Sequence, residues 1–440
     1  MSTPTPTPRI ELPGGAVAFV ESSTVVPLVS IVFSLRSGSL ADPDGKDGLS
    51  RLTARMMRRG CKGMTSAEIE SAIDRLGGEL GLDVGPSTIS FHAQVIRRNL
   101  QPFCELLARL LGTPTFDEEE LGRLKRETVA ELLDARDNDR ALAGLAFRRA
   151  VFAGHPYSRT AAGRPPGVEQ LSRPEVLATY ARAFVQSNVV IGFAGAITVD
   201  EAKEVGSLLV KALPEGPKTV TDVPEPTRRK GRHLAFVDKP DRTQMQILIG
   251  TLGTWPRDDD HVALVTATAV LGGTFTSRMM REIRSKRGWS YGTSARLSIE
   301  RRRHAFTMSA APGAADCAPC IELELQLLEQ FTNDGITNRE LSFIKNYLVR
   351  SHAFEIDTAP KRLGQVLEVE LLDLPADYHT AHLDHIKAVT LESANASVKA
   401  RLFPDDVVVV VVGTASDMLE KVTKAIPNLA SHEVIPFDRD

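Results

Sequence analysis

This sequence of 440 residues has no long apolar run, few cysteines and no excess of basic charge. Each of these features excludes a class of protein. The longest purely apolar run, Val407 to Val412, is far too short to span a bilayer, and its β-branched residues predict a buried strand. Four cysteines are too few for a disulfide framework in a chain of this length. A formal net charge of -3 provides no global basic field, so neither nucleic acid nor a membrane surface is the expected partner.

What is present is an ordinary globular composition, with 42% hydrophobic and 25% charged residues. A chain of this length exceeds what one hydrophobic core usually organises, so we expect two domains. Residues 1–9 are rich in serine, threonine and proline, and they lack the basic start and apolar stretch of a secretory signal. Together with the few cysteines, this N-terminus predicts a cytoplasmic protein.

A proline-rich segment divides the chain into two parts of similar length. We expect a first domain over residues 1–215 and a second over residues 234–440. Residues 216–233 gather prolines, glycines and basic residues without apolar periodicity, which is typical of a linker between domains.

The two parts have the pattern of a duplicated unit. Ser172 and Thr390 each begin a helical pattern that is followed by a turn, an apolar strand and a glycine, at Gly195 and Gly413. Because the two pairs have the same separation along the chain, we favour duplication over chance similarity. Strand patterns alternate with helical patterns of ten or more residues, and several strands follow one another directly. Each half is therefore predicted to be α+β, with a mainly antiparallel sheet and helices on one of its faces.

The segment DGLSRLTARMMRRGCKGMTSAEIESAIDRLGGEL resembles the part of the pitrilysin, insulinase and mitochondrial processing peptidase family that carries the inverted zinc motif H-x-x-E-H. The similarity continues through FDEEELGRLKRETVAEL and HPYSRTAAGR and extends into the second half, so it covers nearly the whole chain. The resemblance implies the family's fold of two homologous α+β halves and a relationship to metallopeptidases.

The positions of the zinc motif hold different chemistry in this chain. The two zinc-binding histidines of the motif align with Arg51 and Arg55, and the glutamate that activates water aligns with Ala54. A guanidinium offers no lone pair to Zn²⁺ and alanine accepts no proton, so we expect no metal and no cofactor in this chain. Glu131 matches the family's third zinc ligand, although it could equally be a solvated helix carboxylate like Glu127. We expect at least one of the two arginines to form an ion pair with one of these carboxylates.

A second family signature, LGGTFTSRMMREIRSKRGWSYGTSARL, lies in the second half. The resemblance implies that Arg284 and Tyr291 hold the substrate backbone and stabilise the oxyanion of peptide hydrolysis, a role that suits a fixed cation and a phenolic donor. The alternative is a solvated charge and a core aromatic, and Arg287 is a near neighbour that could be confused with Arg284. Gly272 and Gly273 are either a helix C-cap or a loop that admits substrate backbone closely.

The chain lacks the zinc ligands but retains the Arg/Tyr pair. The resemblance associates this combination with the non-catalytic subunit of a heterodimeric zinc metalloendopeptidase. The expected partner is a homologous subunit that carries H-x-x-E-H and its zinc, and the expected substrate is a peptide or an unfolded protein segment. The chain alone should be inactive. The alternative is a non-enzymatic structural or binding protein, similar to processing-peptidase relatives in a respiratory complex. A hydrolase of another mechanism is disfavoured because no nucleophile motif such as G-x-S-x-G occurs.

Two weaker signals favour ordinary structural roles. Cys317 and Cys320 have C-x-x-C spacing but no accompanying cysteine or histidine pair at a metal-ligand distance. His379, His382 and His385 recur every three residues on a predicted helix without a supporting carboxylate constellation, so we interpret them as a solvated polar face.

Overall fold

The structure is a computed structural model that describes residues 7–219 and 222–439. Residues 1–6 of the N-terminal segment, residues 220 and 221 of the predicted linker, and residue 440 lie outside the described residues.

Strands and helices alternate along the described chain. The strands are β1 (Arg9–Glu11), β2 (Val17–Ser22), β3 (Leu28–Leu35), β4 (Gly60–Cys61), β5 (Met64–Thr65), β6 (Gly78–Val84), β7 (Ile89–Ile96), β8 (Val189–Gly195), β9 (Arg232–Asp238), β10 (Gln246–Leu252), β11 (Thr293–Leu297), β12 (Ala305–Ala310), β13 (Val408–Gly413) and β14 (Leu429–Pro436). The α-helices are α1 (Leu49–Met56), α2 (Ser66–Arg75), α3 (Leu100–Gly112), α4 (Glu118–Asp134), α5 (Asp139–Val151), α6 (Pro165–Gln170), α7 (Arg173–Ala183), α8 (Val199–Lys211), α9 (His261–Thr268), α10 (Cys317–Asn333), α11 (Asn338–Ser351), α12 (Ala359–Leu372), α13 (His382–Ala388), α14 (Leu391–Arg401) and α15 (Ala415–Lys424). Two π-helical segments span Ala269–Gly273 and Met280–Ser285.

The chain folds into two compact units that exchange segments. The first unit contains residues up to 132, 160–222 and 353–374, and the second contains residues 133–159, 223–352 and 375 onwards. The junction between residues 222 and 223 falls inside the expected linker. Residues 133–159 and 353–374, however, each belong to the unit formed mainly by the other half of the sequence.

The first unit is built on a mixed six-stranded sheet with the order β1-β2-β8-β3-β7-β6. The β2/β8 pair is parallel, and the other neighbouring pairs are antiparallel. Strands β3 and β7 are antiparallel neighbours that pair from Leu28 with Ile96 to Leu35 with Ile89. Helices α1, α3, α7 and α8 contribute to the core on one face of this sheet, packing against alternate side chains such as Ile31, Phe33 and Phe193.

The second unit repeats this plan. Its sheet has the order β11-β12-β10-β13-β9-β14, so β9, β13, β10, β12 and β11 occupy the places of β2, β8, β3, β7 and β6. Ser172 and Thr390 both begin helices through reciprocal capping boxes, and Gly195 and Gly413 both end the following strand. The predicted duplication and α+β class are confirmed. The added edge strand differs, since β1 runs antiparallel to β2 whereas β14 runs parallel to β9.

Helix α12 covers the second face of the first sheet. Leu363 and Leu367 are buried in a cluster that contains Val17, Phe19, Val190 and Ala194. A glycine in β8 permits the close approach, because a Cβ at Gly192 would lie 2.7 Å from Leu367 Cδ1. Arg362 donates to Glu21 at 2.8 Å, which adds an ion pair to this contact.

Helix α5 has the corresponding position in the second unit, where it packs against β9, β10 and β13. A Cβ at Gly250 would lie 2.7 Å from the Phe147 ring, so this glycine also makes room for a helix. Buried Lys239 anchors the start of α5 by donating to Asp139 Oδ1 at 2.8 Å and to the carbonyl of Arg136 at 2.9 Å.

The expectation of helices on only one sheet face is therefore wrong. Central strands β8 and β13 are covered on both faces, which explains why nearly all their residues are buried and apolar. None of the helices within residues 7–219 and 222–439 combines the length and apolar character that a bilayer crossing requires.

Candidate functional site

Helix α1 carries the positions that align with the zinc motif. It begins after Gly48, which has a left-handed φ of 95°, and Asp42 accepts hydrogen bonds from the Gly48 and Ser50 amides at 3.2 and 2.9 Å. Ala54 is fully buried in the core of the first unit, whereas Arg51 remains partly exposed on the helix. Helix α1 thus carries the guanidiniums of Arg51 and Arg55 where the motif requires imidazoles, and the methyl group of Ala54 where it requires a carboxylate.

Both guanidiniums converge on Glu131 of α4. Arg55 donates to the two carboxylate oxygens of Glu131 at 2.6 and 2.8 Å and to the Thr128 hydroxyl at 2.9 Å. Arg51 donates to Glu131 Oε2 at 3.1 Å. The predicted ion pair is confirmed, and it involves both arginines. Glu127 is engaged separately, because it accepts from Arg59.

The charge of Glu131 is stabilised by this arrangement. Partial burial acts to raise the pKa of Glu131, but the hydrogen bonds and charges of Arg55 and Arg51 outweigh it and lower the pKa below its ordinary value. The carboxylate is therefore ionised over the physiological range and belongs to an ion-pair cluster.

These residues do not fit a zinc ion. Zinc needs imidazole, thiolate or carboxylate donors with lone pairs directed at the metal. Here the single carboxylate is occupied by two guanidiniums, and the neighbouring Thr128 hydroxyl accepts from Arg55. Within the described part of the chain, no group of three or more His, Cys, Asp or Glu side chains could hold a metal ion.

The second candidate site is brought together at the end of the π-helical segment Met280–Ser285. Gly288 takes a left-handed φ of 68°, and its amide and that of Trp289 donate to the carbonyls of Arg284 and Ile283 at 3.0 and 3.1 Å. This turn returns the chain, so that the Arg284 guanidinium carbon lies 5.0 Å from the centroid of the Tyr291 ring. The two residues predicted as a pair are thus neighbours in space.

Tyr291 is a surface residue and not a core aromatic, because 87% of it is exposed. Phe275 is also highly exposed and makes a second cation–π contact with Arg284, with its ring centroid 5.5 Å from the guanidinium carbon. Tyr291 is therefore accessible to a ligand, and Arg284 beside it is partly exposed. Phe275 was not among the residues selected from the sequence, and its position just after the double glycine was the available signal.

Arg284 differs from the other cations around it. Arg281, Lys286 and Arg287 each donate to the Glu282 carboxylate, at distances of 3.2, 2.8 and 3.1 Å. Arg284 has no hydrogen-bond acceptor or carboxylate partner among the residues described. This difference in pairing distinguishes Arg284 from Arg287, and the assignment of the functional role to Arg284 remains a prediction.

The double glycine has a packing role in the structure. Gly272 lies in the π-helical segment Ala269–Gly273 that follows helix α9, and a Cβ there would lie 2.1 Å from the Ala295 amide nitrogen of β11. Gly273 is also tightly placed, since its Cβ would lie 2.9 Å from that of Ala269. Contact of Gly272 and Gly273 with a substrate remains a prediction.

The weaker sequence signals are structural in this fold. Cys317 and Cys320 are buried in the second core, and burial followed by the nearby Glu324 raises the pKa of both thiols, that of Cys317 to about 12. The expected three-histidine helix face is wrong, because α13 begins at His382 and leaves His379 outside it.

The fold and the altered site together define a class: a duplicated α+β protein of metallopeptidase type in which an ion-pair cluster stands in place of the zinc ligands. Two family models match, the Insulinase (Peptidase family M16) model over residues 17–164 and the Peptidase M16 inactive domain model over residues 170–348. The chain belongs to the M16 peptidase family, as a member without the zinc motif.

Proteins similar to this chain extend over nearly its whole length. A non-peptidase homologue named YmxG from Helicobacter pylori is 21% identical, with 89% of this chain and 90% of the relative covered. An uncharacterized zinc protease from Mycobacterium leprae is 26% identical, with 88% and 87% covered. The crystal structure of a peptidase M16 inactive domain from Pseudomonas fluorescens superposes with a TM-score of 0.85 at 23% identity, covering 93% of this chain and 98% of that one. This structural likeness concerns the fold.

Proposed function

We propose that this chain is the non-catalytic subunit of a heterodimeric zinc metalloendopeptidase. A homologous subunit with an intact H-x-x-E-H motif supplies the zinc, and this chain supplies Arg284 and Tyr291. The substrate is a peptide or an unfolded protein segment. The observation that carries the proposal is the guanidinium of Arg284, which has no carboxylate partner among the described residues and lies beside an exposed phenol, whereas the neighbouring cations donate to Glu282.

The chemistry of the two side chains suits peptide hydrolysis. A guanidinium and a phenol O–H both donate hydrogen bonds, so both can bind the same substrate carbonyl oxygen, which accepts through two lone pairs. Such donors hold a substrate carbonyl and stabilise the negative charge that develops when the carbonyl is attacked, and they do so best where water is excluded. The intramolecular pairing of Arg284 with aromatic rings restricts its motion without using its N–H groups.

The alternative is a non-enzymatic structural or binding protein. The name of the Helicobacter pylori relative, a non-peptidase homologue, supports this alternative. The two functions differ in one respect that can be measured, because only the first requires the Arg284 and Tyr291 side chains for turnover. A cytoplasmic location remains a prediction under either function.

The test is reconstitution with a homologous subunit that carries H-x-x-E-H, using cleavage of a fluorogenic peptide as the readout. We expect neither chain alone to match the activity of the mixture. Arg284→Ala or Tyr291→Phe in this chain should lower kcat by roughly 10²–10³-fold, the usual scale for one oxyanion donor.

Matched controls are available in the same unit. Arg281→Ala removes an exposed cation that is hydrogen-bonded to Glu282, and Tyr347→Phe removes a phenol hydroxyl from an exposed tyrosine of α11. Both controls should leave kcat unchanged, and size-exclusion chromatography should show equal assembly for all variants. Full activity of a pair carrying both Arg284→Ala and Tyr291→Phe would favour the structural alternative.

A further inference from the structure

The replaced zinc position has an excess of positive charge. We define the arginine site as Arg51, Arg55, Thr128 and Glu131, all in the first unit. It contains two guanidiniums and one carboxylate. Two arginines that follow on the same stretch of chain are charge-matched, since Arg58 pairs with Glu70 and Arg59 pairs with Glu127.

The two arginines of the site differ in how completely they are used. Both terminal nitrogens of Arg55 donate hydrogen bonds, in a bidentate interaction with the Glu131 carboxylate and in one further bond to the Thr128 hydroxyl. Arg51 makes a single bond through one terminal nitrogen, at 3.1 Å to Glu131. Its other N–H groups have no acceptor in the described chain. The uncompensated charge of the site therefore resides mainly on Arg51.

The site is open to a ligand. The side chains of Arg51 and Glu131 are 31% and 45% exposed, respectively, and that of Arg55 is 19% exposed. The partly exposed side chains can be reached by an incoming group, while the buried face of α1 packs in the core of the first unit and holds the helix in place. Partial burial also matters, because it strengthens charge-assisted hydrogen bonds relative to those on a fully solvated surface.

We infer that the arginine site binds a carboxylate group of a peptide or protein, which docks on the free edge of Arg51 while Glu131 stays on Arg55. A planar guanidinium presents paired N–H donors that match the two oxygens of a carboxylate. The carboxylate comes either from a peptide C-terminus or from an acidic side chain. This inference does not depend on Arg284, on Tyr291 or on a zinc-bearing partner.

The experiment uses the purified full-length chain and three short peptides of glycine, serine and alanine. One has a free C-terminus, one is amidated and contains a single glutamate, and one is amidated and neutral. Isothermal titration calorimetry at low ionic strength should detect binding of a carboxylate-bearing peptide and none of the neutral peptide. The tighter of the two carboxylate peptides identifies the source of the group.

Variants make the site assignment specific. Arg51→Ala should weaken carboxylate binding by about tenfold, the scale of losing a charge-assisted hydrogen bond. Glu131→Gln should strengthen binding, because it removes the competing carboxylate and frees Arg55. Arg58→Ala, in an arginine already paired with Glu70, is the matched control and should leave binding unchanged.

Circular dichroism melting of each variant establishes that the fold is intact. Equal binding of all three peptides, or no binding of any, would overturn the inference. Unchanged affinity in Arg51→Ala would also overturn the inference, because the carboxylate would then bind elsewhere. An equal loss of affinity in Arg58→Ala would overturn it as well, because binding would then reflect general charge attraction.

Discussion

Replacing Glu324 by leucine is expected to stabilise the second unit and to flatten its pH dependence. Glu324 lies on α10 with no exposed surface, and neither carboxylate oxygen has a hydrogen-bond partner among the residues that the structure describes. It lies on the buried face of that helix with Cys317, Cys320 and Leu328. A carboxylate in such surroundings cannot remain ionised at low cost, so the folded protein holds the proton.

The magnitude follows from the pKa. Burial raises the pKa of Glu324 from its ordinary value of 4.5 to about 8. The folded state therefore retains a proton that the unfolded state has released, and stability falls as the pH rises from the unfolded pKa to the folded one. At about 1.4 kcal/mol per pH unit, this cost reaches roughly 3 kcal/mol at pH 7 and levels off above the folded pKa.

Urea unfolding followed by circular dichroism between about pH 5 and pH 8 measures the effect. Glu324→Leu should unfold at higher urea than the wild type, with a difference that grows with pH. Glu324→Gln should also lose the pH dependence but gain less, because its buried amide remains polar. Glu322→Gln, at an exposed position of the same helix, is the control. Parallel pH profiles for wild type and Glu324→Leu would show that Glu324 does not hold its proton in the folded protein.

Three further predictions concern the exchanged helix, the arginine site and the double glycine. Leu367→Ala should cost about 2–5 kcal/mol of stability in urea unfolding, because it leaves a cavity against the first sheet, whereas exposed Lys361→Ala should cost little. Glu131→Gln should lower stability by at most about 1 kcal/mol near neutral pH, since the pair is partly solvated. That difference should vanish as the pH falls below the ordinary carboxyl pKa and through the lowered pKa of Glu131, as monitored by melting temperature against pH. Gly272→Ala should lower the melting temperature, because its Cβ would collide with the Ala295 backbone.

The strands and the duplication are predictable because their signals are local. The apolar run at Val407–Val412 and the alternation around Leu28–Leu35 need only the periodicity of a pleated strand. The Arg55–Glu131 ion pair is also predictable, since the aligned family motif already brings these two positions together and a guanidinium there needs a carboxylate.

The helix exchange is not predictable from such signals. The apolar pattern of α5 or α12 indicates that the helix is packed, but it does not specify which of two similar sheets receives it. Only the three-dimensional fit of Phe147 to Gly250 and of Leu367 to Gly192 distinguishes the two arrangements. Buried Glu324 does have a signal in the sequence, because a glutamate on the apolar face of a helix is unusual.

Zinc content, measured by mass spectrometry of the metal-equilibrated chain, tests whether the altered motif still binds a metal. We expect no stoichiometric zinc in the wild type, because the Glu131 carboxylate is paired with Arg51 and Arg55. The double variant Arg51→His and Arg55→His should bind zinc through two imidazoles and the released carboxylate. One tightly held zinc per wild-type chain, lost on Glu131→Gln, would instead show that the arginine site still binds the metal.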